Sequence, residues 1–247
     1  MGTREATVAI LGAGDFIGSA IAERFAAGGY DVFAGRRDGE KLKDLQARIA
    51  SRGGALFPRS VDARQEASVS AFLEEANAHA PLEVCIFNVG ANVNFPILET
   101  TERVFRKVWE MACYGGFLAG REAARLMLPR GGGSIFFTGA TASLRGGVGY
   151  AAFASAKFGL RAVAQSMARE LGPQNIHVAH LIIDAGVDTA WVRQRIADRE
   201  GAEAAANLAE GRLMRPQAVA EAYWALHQQP RDAWTFELEI RPAAERW

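Results

Sequence analysis

The sequence predicts an α/β fold, a doubly wound parallel sheet with helices on both faces, in one domain spanning residues 1–247. Three observations predict it. Apolar runs of strand length alternate along the chain with longer stretches of helical period. The connecting stretches run to ten or more residues, long enough for right-handed crossovers between parallel strands. No low-complexity linker or short-period repeat divides the chain.

The elements follow in order. "TVAILG" is the first strand, and "FIGSAIAERFAAGG" the helix after it, with Ile17, Ile21 and Phe25 on one face. "DVFAGR" precedes "EKLKDLQARIA", where Leu42, Leu45 and Ile49 share a face. "ALFPRSVD" leads into "ASVSAFLEEANAHA", and "EVCIFNVG" into a long helical stretch from Thr101 to Leu128. "GSIFFTGA" precedes "AFASAKFGLRAVAQSMARELG", and "IHVAHLIID" precedes an Arg- and Ala-rich segment ending near Gln229. "WTFELEI" closes the sheet.

Composition narrows the function. Lys+Arg and Asp+Glu are both 28, so nothing draws the chain as a whole toward nucleic acid or an anionic membrane. No run reaches the ~18 apolar residues of a membrane span. The start "MGTREATVAILGAG" reads as the approach to a strand rather than a signal peptide. Cys85 and Cys113 sit in apolar surroundings without metal-ligand spacing and read as buried free thiols, so a cytoplasmic setting is expected. His79, His177, His180 and His227 show neither metal spacing nor a nucleophile partner, and no metal site is expected.

In a doubly wound sheet, ligands collect beyond the carboxyl ends of the strands, where strand order reverses. There the sequence places "GAGDFIG", "GRR", "VDA", "NVGAN", "TGATAS" and "DAGVDT". Gly12, Gly14 and Gly18 let the chain turn tightly and approach a pyrophosphate at the helix N-terminus, the signature of a Rossmann-type dinucleotide site. The second strand ends in Arg36 and Arg37, where NAD sites usually carry a carboxylate for the ribose hydroxyls. Guanidinium groups suit the 2′-phosphate of NADP(H), so NADP(H) is expected and NAD(H) less favoured.

These motifs resemble the short-chain dehydrogenase/reductase family over nearly the whole chain. The family's turn is Gly-x-x-x-Gly-Ile-Gly. This chain keeps Gly12, Ile17 and Gly18, adds Gly14 and Asp15, and has Phe16 where the middle glycine belongs. "FNVG" is similar to the family's Asn-Asn-Ala-Gly, with Asn88 and Gly90 retained. The resemblance implies adenine recognition by Asp62, and nicotinamide contacts from "DAGVDT" through Val187 and Thr189. It also implies a substrate-covering segment around residues 188–215 and a homo-oligomer. The family commonly pairs the helices corresponding to residues 101–128 and 149–172, and the small Ala154, Ala156 and Gly159 permit close approach there.

The resemblance falters at the chemistry. Lys157 matches the family's lysine, which binds the nicotinamide ribose and lowers the pKa of a tyrosine four residues earlier. Here that position is Phe153; the serine position thirteen residues earlier is Ala140, and the asparagine position is Ala112. Tyr150 stands seven residues before Lys157, near the same helical face, a spacing similar to the enoyl-acyl carrier protein reductases. An acid set farther from the nicotinamide suits an enolate oxygen two carbons beyond the hydride acceptor. Tyr150 can equally be a packing residue at the pocket mouth.

Other polar groups carry less. Thr138, Thr141 and Ser143 can hold a substrate oxygen or satisfy local backbone, and Asn92 and Asn94 can line a pocket or serve a turn. Arg145 reads as facing water, Arg193 and Arg195 as a solvated face, and Trp191 as an apolar wall. The sequence therefore predicts an NADP-dependent oxidoreductase that reduces a carbonyl or an activated C=C bond of a small molecule. The alternative is a dinucleotide-binding sensor or assembly protein that has lost catalysis.

Overall fold

A computed structural model describes residues 4–208 and 211–245. Residues 1–3, at the start of the stretch read as leading into the first strand, lie outside the described residues. So do residues 209–210, within the expected substrate-covering segment, and residues 246–247.

Seven strands form one parallel sheet: β1 (Thr7–Leu11), β2 (Asp31–Arg36), β3 (Ala55–Ser60), β4 (Leu82–Phe87), β5 (Gly133–Ala140), β6 (Ile176–Ile183) and β7 (Glu237–Ile240). Their order is β3-β2-β1-β4-β5-β6-β7. The chain winds outward from β1 through β2 to β3, then returns to β4 and winds the other way. The crevice beyond β1 and β4 is thus the switch point where this architecture binds ligands.

Side-chain alternation along each strand feeds two cores. Val8 and Ile10 of β1 join Val32, Val84 and Ile86 under α1 (Ile17–Ala27), α2 (Lys43–Ala50) and α9 (Pro216–His227). Ala9 and Leu11 point the opposite way, with Phe33, Cys85, Phe87 and Phe137, under α3 (Glu66–His79), α5 (Gly115–Met127) and α6 (Ala151–Leu171). Burial on both faces explains why the strands read as continuous apolar runs. Each fully buried Ile, Leu or Phe contributes about 1.5–3 kcal/mol. The expected helix faces hold: Ile21, Phe25, Leu42, Leu45 and Ile49 are all buried, with Ile17 partly so.

Two departures from the sequence reading bear on the site. The stretch from Thr101 to Leu128 is not one regular helix: α4 (Glu102–Trp109) passes through a π-helical turn, Glu110–Tyr114, into α5. This extra residue in the turn puts Ala112 and Cys113 against the start of α6, in a small core with Val108, Ala142, Ala152 and Phe153. The Arg- and Ala-rich segment divides into α7 (Ala190–Glu200), α8 (Ala202–Ala206) and α9, with Val187 bridged to Met214 across the gap. No helix among the described residues is long and apolar enough to cross a membrane.

Candidate active site

The glycine turn is shaped by what it touches. Gly12 has φ +93°, and a Cβ there would lie 2.7 Å from the backbone carbon of Asn88. Gly18 presses on the Gly12–Ala13 backbone, where a Cβ would come within 2.6 Å. Gly14 and Gly90 differ, because a Cβ on either would meet nothing within 4 Å. Both border open space, a cleft of about 760 Å³ beyond the ends of β1, β4 and β5. The residues expected to bind a dinucleotide all line this cleft: Gly12 to Gly18 with Asp15, Phe16 and Ile17; Arg36 and Arg37; Asp62; Asn88 and Gly90; Lys157; Val187 and Thr189. Phe16 stands on the rim, partly exposed, and precedes the first turn of α1 without a capping side chain.

Asn88 locks the crevice. Its Nδ2 donates to the Gly12 carbonyl at 3.0 Å, and its Oδ1 accepts from Thr138 Oγ1 at 2.9 Å. Thr138 also bonds the buried Tyr223 hydroxyl at 2.7 Å, which explains that threonine as a structural bridge. Ser143 likewise turns inward, accepting from the Ala140 N–H at 3.2 Å, while Thr138 stays on the wall of the first cleft and Thr141 lies on the wall of a second.

Lys157 is buried between the two strand ends. Its Nζ donates to the Thr138 carbonyl at 2.7 Å and the Val89 carbonyl at 3.3 Å. With no carboxylate bonded to it, burial pushes the amine down to about 8. His180 lies behind it on β6, and burial, reinforced by the nearby charges of Lys157 and Arg161, pushes that imidazole down to about 3.

At the far end of the cleft Arg36 pairs with Asp15 at 2.5 Å. Arg37 makes no ion pair within bonding distance among the described residues, although its charge helps depress the Asp62 pKa. The principal cause of that depression is Arg64, which holds the Asp62 carboxylate through Nε at 2.9 Å and Nη2 at 2.6 Å. The sequence reading missed Arg64; its signal was the two-residue spacing that lets Asp62 Oδ1 also accept the Arg64 N–H at 3.1 Å. Three contacts leave acceptor capacity on the carboxylate. Thr189 caps α7, accepting from the Val192 N–H at 3.1 Å.

A second cleft, of about 540 Å³, adjoins the first. Asn92, Ala140 and Phe153 line both. Tyr150 lines the second cleft, while Lys157 lines the first. The helical spacing argument does not reach Tyr150, because α6 begins at Ala151 and Tyr150 is its N-cap, with φ −104° and ψ 17°. Its hydroxyl accepts from Arg195 Nη2 at 3.3 Å. Asn94 serves the turn, donating to the Val148 carbonyl at 3.0 Å under Gly149. Arg145 pairs with the buried Asp184, and Arg193 with Asp188.

The short chain dehydrogenase family model matches residues 6–200. The chain belongs to the short-chain dehydrogenase/reductase family. A short-chain dehydrogenase from Rhodopseudomonas palustris is 65% identical, superposes with a TM-score of 0.83, and is matched over 97% of this chain and 99% of its own. A short-chain dehydrogenase/reductase of Armillaria gallica is 30% identical over 184 residues, 68% of this chain and 66% of its own length. A variant of the actinorhodin polyketide ketoreductase, solved with NADPH, is 25% identical, with a TM-score of 0.87 and 98% of both chains covered. The sheet order and switch-point cleft are those of this oxidoreductase family.

The buried amine has a pH signature. Between about 8 and the ordinary lysine value of 10.5, the unfolded chain holds the Lys157 proton more tightly than the folded one. Stability contributed by this site is therefore lowest below pH 8 and rises through that window. The stability of the natural protein minus that of Lys157→Met should rise by roughly 1 kcal/mol per pH unit there. Urea unfolding at a series of pH values measures it, and the subtraction cancels the buried tyrosines and Cys85. A flat difference contradicts a desolvated amine.

Proposed function

We propose that this chain is an NADP(H)-dependent reductase of a carbonyl or activated C=C bond in a small organic substrate, with Tyr150 as proton donor. The observation that carries the reading is the junction of two clefts. One bears the glycine turn and the buried Lys157; the other bears a phenol, and Phe153 and Ala140 border both. The first cleft fits the dinucleotide: Gly14 and Gly90 leave room that a Cβ would take, and Arg37 faces the ribose end without a bonded carboxylate. Bound there, the dinucleotide would supply hydride. Lys157 and Thr189 would hold its nicotinamide end, Asn88 and Gly12 would keep the crevice open, and Arg36, Arg37 and Asp62 would hold its adenosine end.

The remaining chemistry falls to the second cleft. Arg195 donates to Tyr150 Oη, so the phenol oxygen already accepts a bond and its hydrogen is left to point at a ligand. A phenol in this position serves an oxygen that gathers charge away from the hydride acceptor. Such a placement suits conjugate reduction more than simple ketone reduction, and both stay within the proposed reading. Residues 188–215 would cover the substrate, with Trp191 and Val192 of α7 on the walls of both clefts.

One observation favours a second reading. Ala112 and Phe153 close into a single apolar cluster with Ala140 packed against it, at the positions where the family's polar groups are expected, which suits a dinucleotide-binding sensor that has lost catalysis. Hydride transfer separates the two.

The same chain is proposed to assemble with copies of itself, though not through the small residues of α6. Ala154 and Ala156 are buried within the chain, and the space beside Gly159 is filled by Cys113 Sγ at 2.7 Å from its Cβ position. The exposed aromatic face carries the proposal instead: Phe105, Trp109, Phe117 and Phe158, with Trp109, Tyr114 and Phe117 stacked in series.

Three outcomes are expected. Calorimetric titration should show NADPH binding about tenfold to a hundredfold more tightly than NADH, with Arg37→Ala losing more of that preference than Arg36→Ala. Equal affinities contradict the assignment. On any substrate the protein reduces, Tyr150→Phe should keep NADPH binding and slow turnover by about 10²–10⁴-fold; full activity removes Tyr150 as the acid. Light scattering should report a dimer or larger species that Phe117→Glu weakens, and a monomer at all working concentrations refutes assembly.

A further inference from the structure

We infer that the second cleft recognises a substrate carboxylate, held by Arg195 over Trp191 beside the Tyr150 hydroxyl. The inference rests on the reading that this cleft takes the substrate, and it deepens that reading by naming the substrate class.

The charges on the wall lead to it. Four guanidinium groups line the cleft: Arg145, Arg195, Arg199 and Arg212. Arg145 is matched by Asp184 at 3.0 Å, while Arg199 and Arg212 share Glu200 at 3.1 and 2.8 Å. Arg195 has no carboxylate within ion-pair distance among the described residues; Glu245 also reaches this wall and is not bonded to it. A half-buried guanidinium without a carboxylate partner keeps donors available for a ligand's counter-charge.

Arg195 is also held in place for a ligand. Its guanidinium lies 4.8 Å from the Trp191 ring centroid, and one Nη2–H donates to Tyr150 Oη at 3.3 Å. The stacked face is closed to hydrogen bonding. The donors on the planar edge remain, and that edge matches the two oxygens of a carboxylate. Set against the four guanidinium groups, the carboxylates of Asp184, Glu200 and Glu245 leave one positive charge on this wall, which fits a monoanion better than a phosphate dianion. A cleft of about 540 Å³ accommodates a small molecule that places its reactive carbon toward Phe153 and its anion toward Arg195. Tyr150, shared between the two, sets the distance from anion to reacting oxygen.

The test uses acid and methyl-ester pairs, 4-oxopentanoate and 4-oxo-4-phenylbut-2-enoate among them. Binding to the NADP⁺-saturated protein is followed by calorimetry, and NADPH oxidation is followed separately. The acids should bind about tenfold to a hundredfold more tightly than their esters. Arg195→Gln should bring that ratio to within about threefold of one, and Arg195→Lys should retain part of it. NADP⁺ affinity confirms that each variant is folded. Equal binding of acid and ester, an unchanged ratio in Arg195→Gln, or no binding of any acid overturns the inference. Acids that bind through Arg195 while no pair member oxidises NADPH leave the carboxylate site standing and refute the reductase reading. Turnover of acids and esters alike does the reverse.

Discussion

The crevice depends on one side chain. Asn88 joins the end of β4 to the glycine turn after β1 and to Thr138 on β5, so three strand ends are fixed relative to one another. Thr138 extends the lock in two directions, through its hydroxyl to Tyr223 on α9 and through its carbonyl to Lys157 on α6. Gly12 makes the lock possible, because any side chain there would collide with the Asn88 backbone. Buried polar networks of this kind are stabilising only when each member is satisfied. Here Asn88, Thr138 and Tyr223 satisfy one another, and Lys157 is the costly member, an amine held on carbonyls without a bonded anion.

The apolar residues beside Lys157 belong together. Ala112 comes from the π turn, Phe153 from the first turn of α6, and they meet in one cluster with Ala140 packed against it. A hydroxyl introduced at the fully buried Ala112 alone would need a partner there or cost about 1–3 kcal/mol. Tyr150, Arg195 and Asn92 lie along the adjoining cleft, so the proposed reaction divides between the two: dinucleotide in the first, substrate and its proton donor in the second.

Much of this was legible in the sequence. Continuous apolar runs gave away strands buried on both faces, and Leu42, Leu45 and Ile49 reported their helix face directly. The residues of the glycine turn and the Arg36–Arg37 pair sit where strand-end logic put them, because local motifs fix local geometry. What was not legible depended on one-residue details or distant partners. A π turn changes the helix by a single residue, which a period of 3.6 does not register over Thr101 to Leu128. The glycines ahead of α6 leave Tyr150 at the N-cap, with its carbonyl in the first helical bond but its own torsions not helical, so helical period alone does not aim its side chain. Arg195 looked like its neighbour Arg193, a cation on a solvated face. Only the fold brings it to a tyrosine 45 residues away in sequence.

In the proposed reaction, Lys157 and the switch-point crevice hold the dinucleotide while the proton donor stands at Tyr150. A crystal structure of the ternary complex with NADP⁺ and an unreactive carboxylate analogue of the substrate tests it most directly. The nicotinamide ribose is expected on Lys157, the analogue's reacting oxygen within hydrogen-bond distance of Tyr150 Oη, and its carboxylate on Arg195. An analogue whose reacting oxygen lies on Thr141 or a water, with Tyr150 turned away from it, contradicts it.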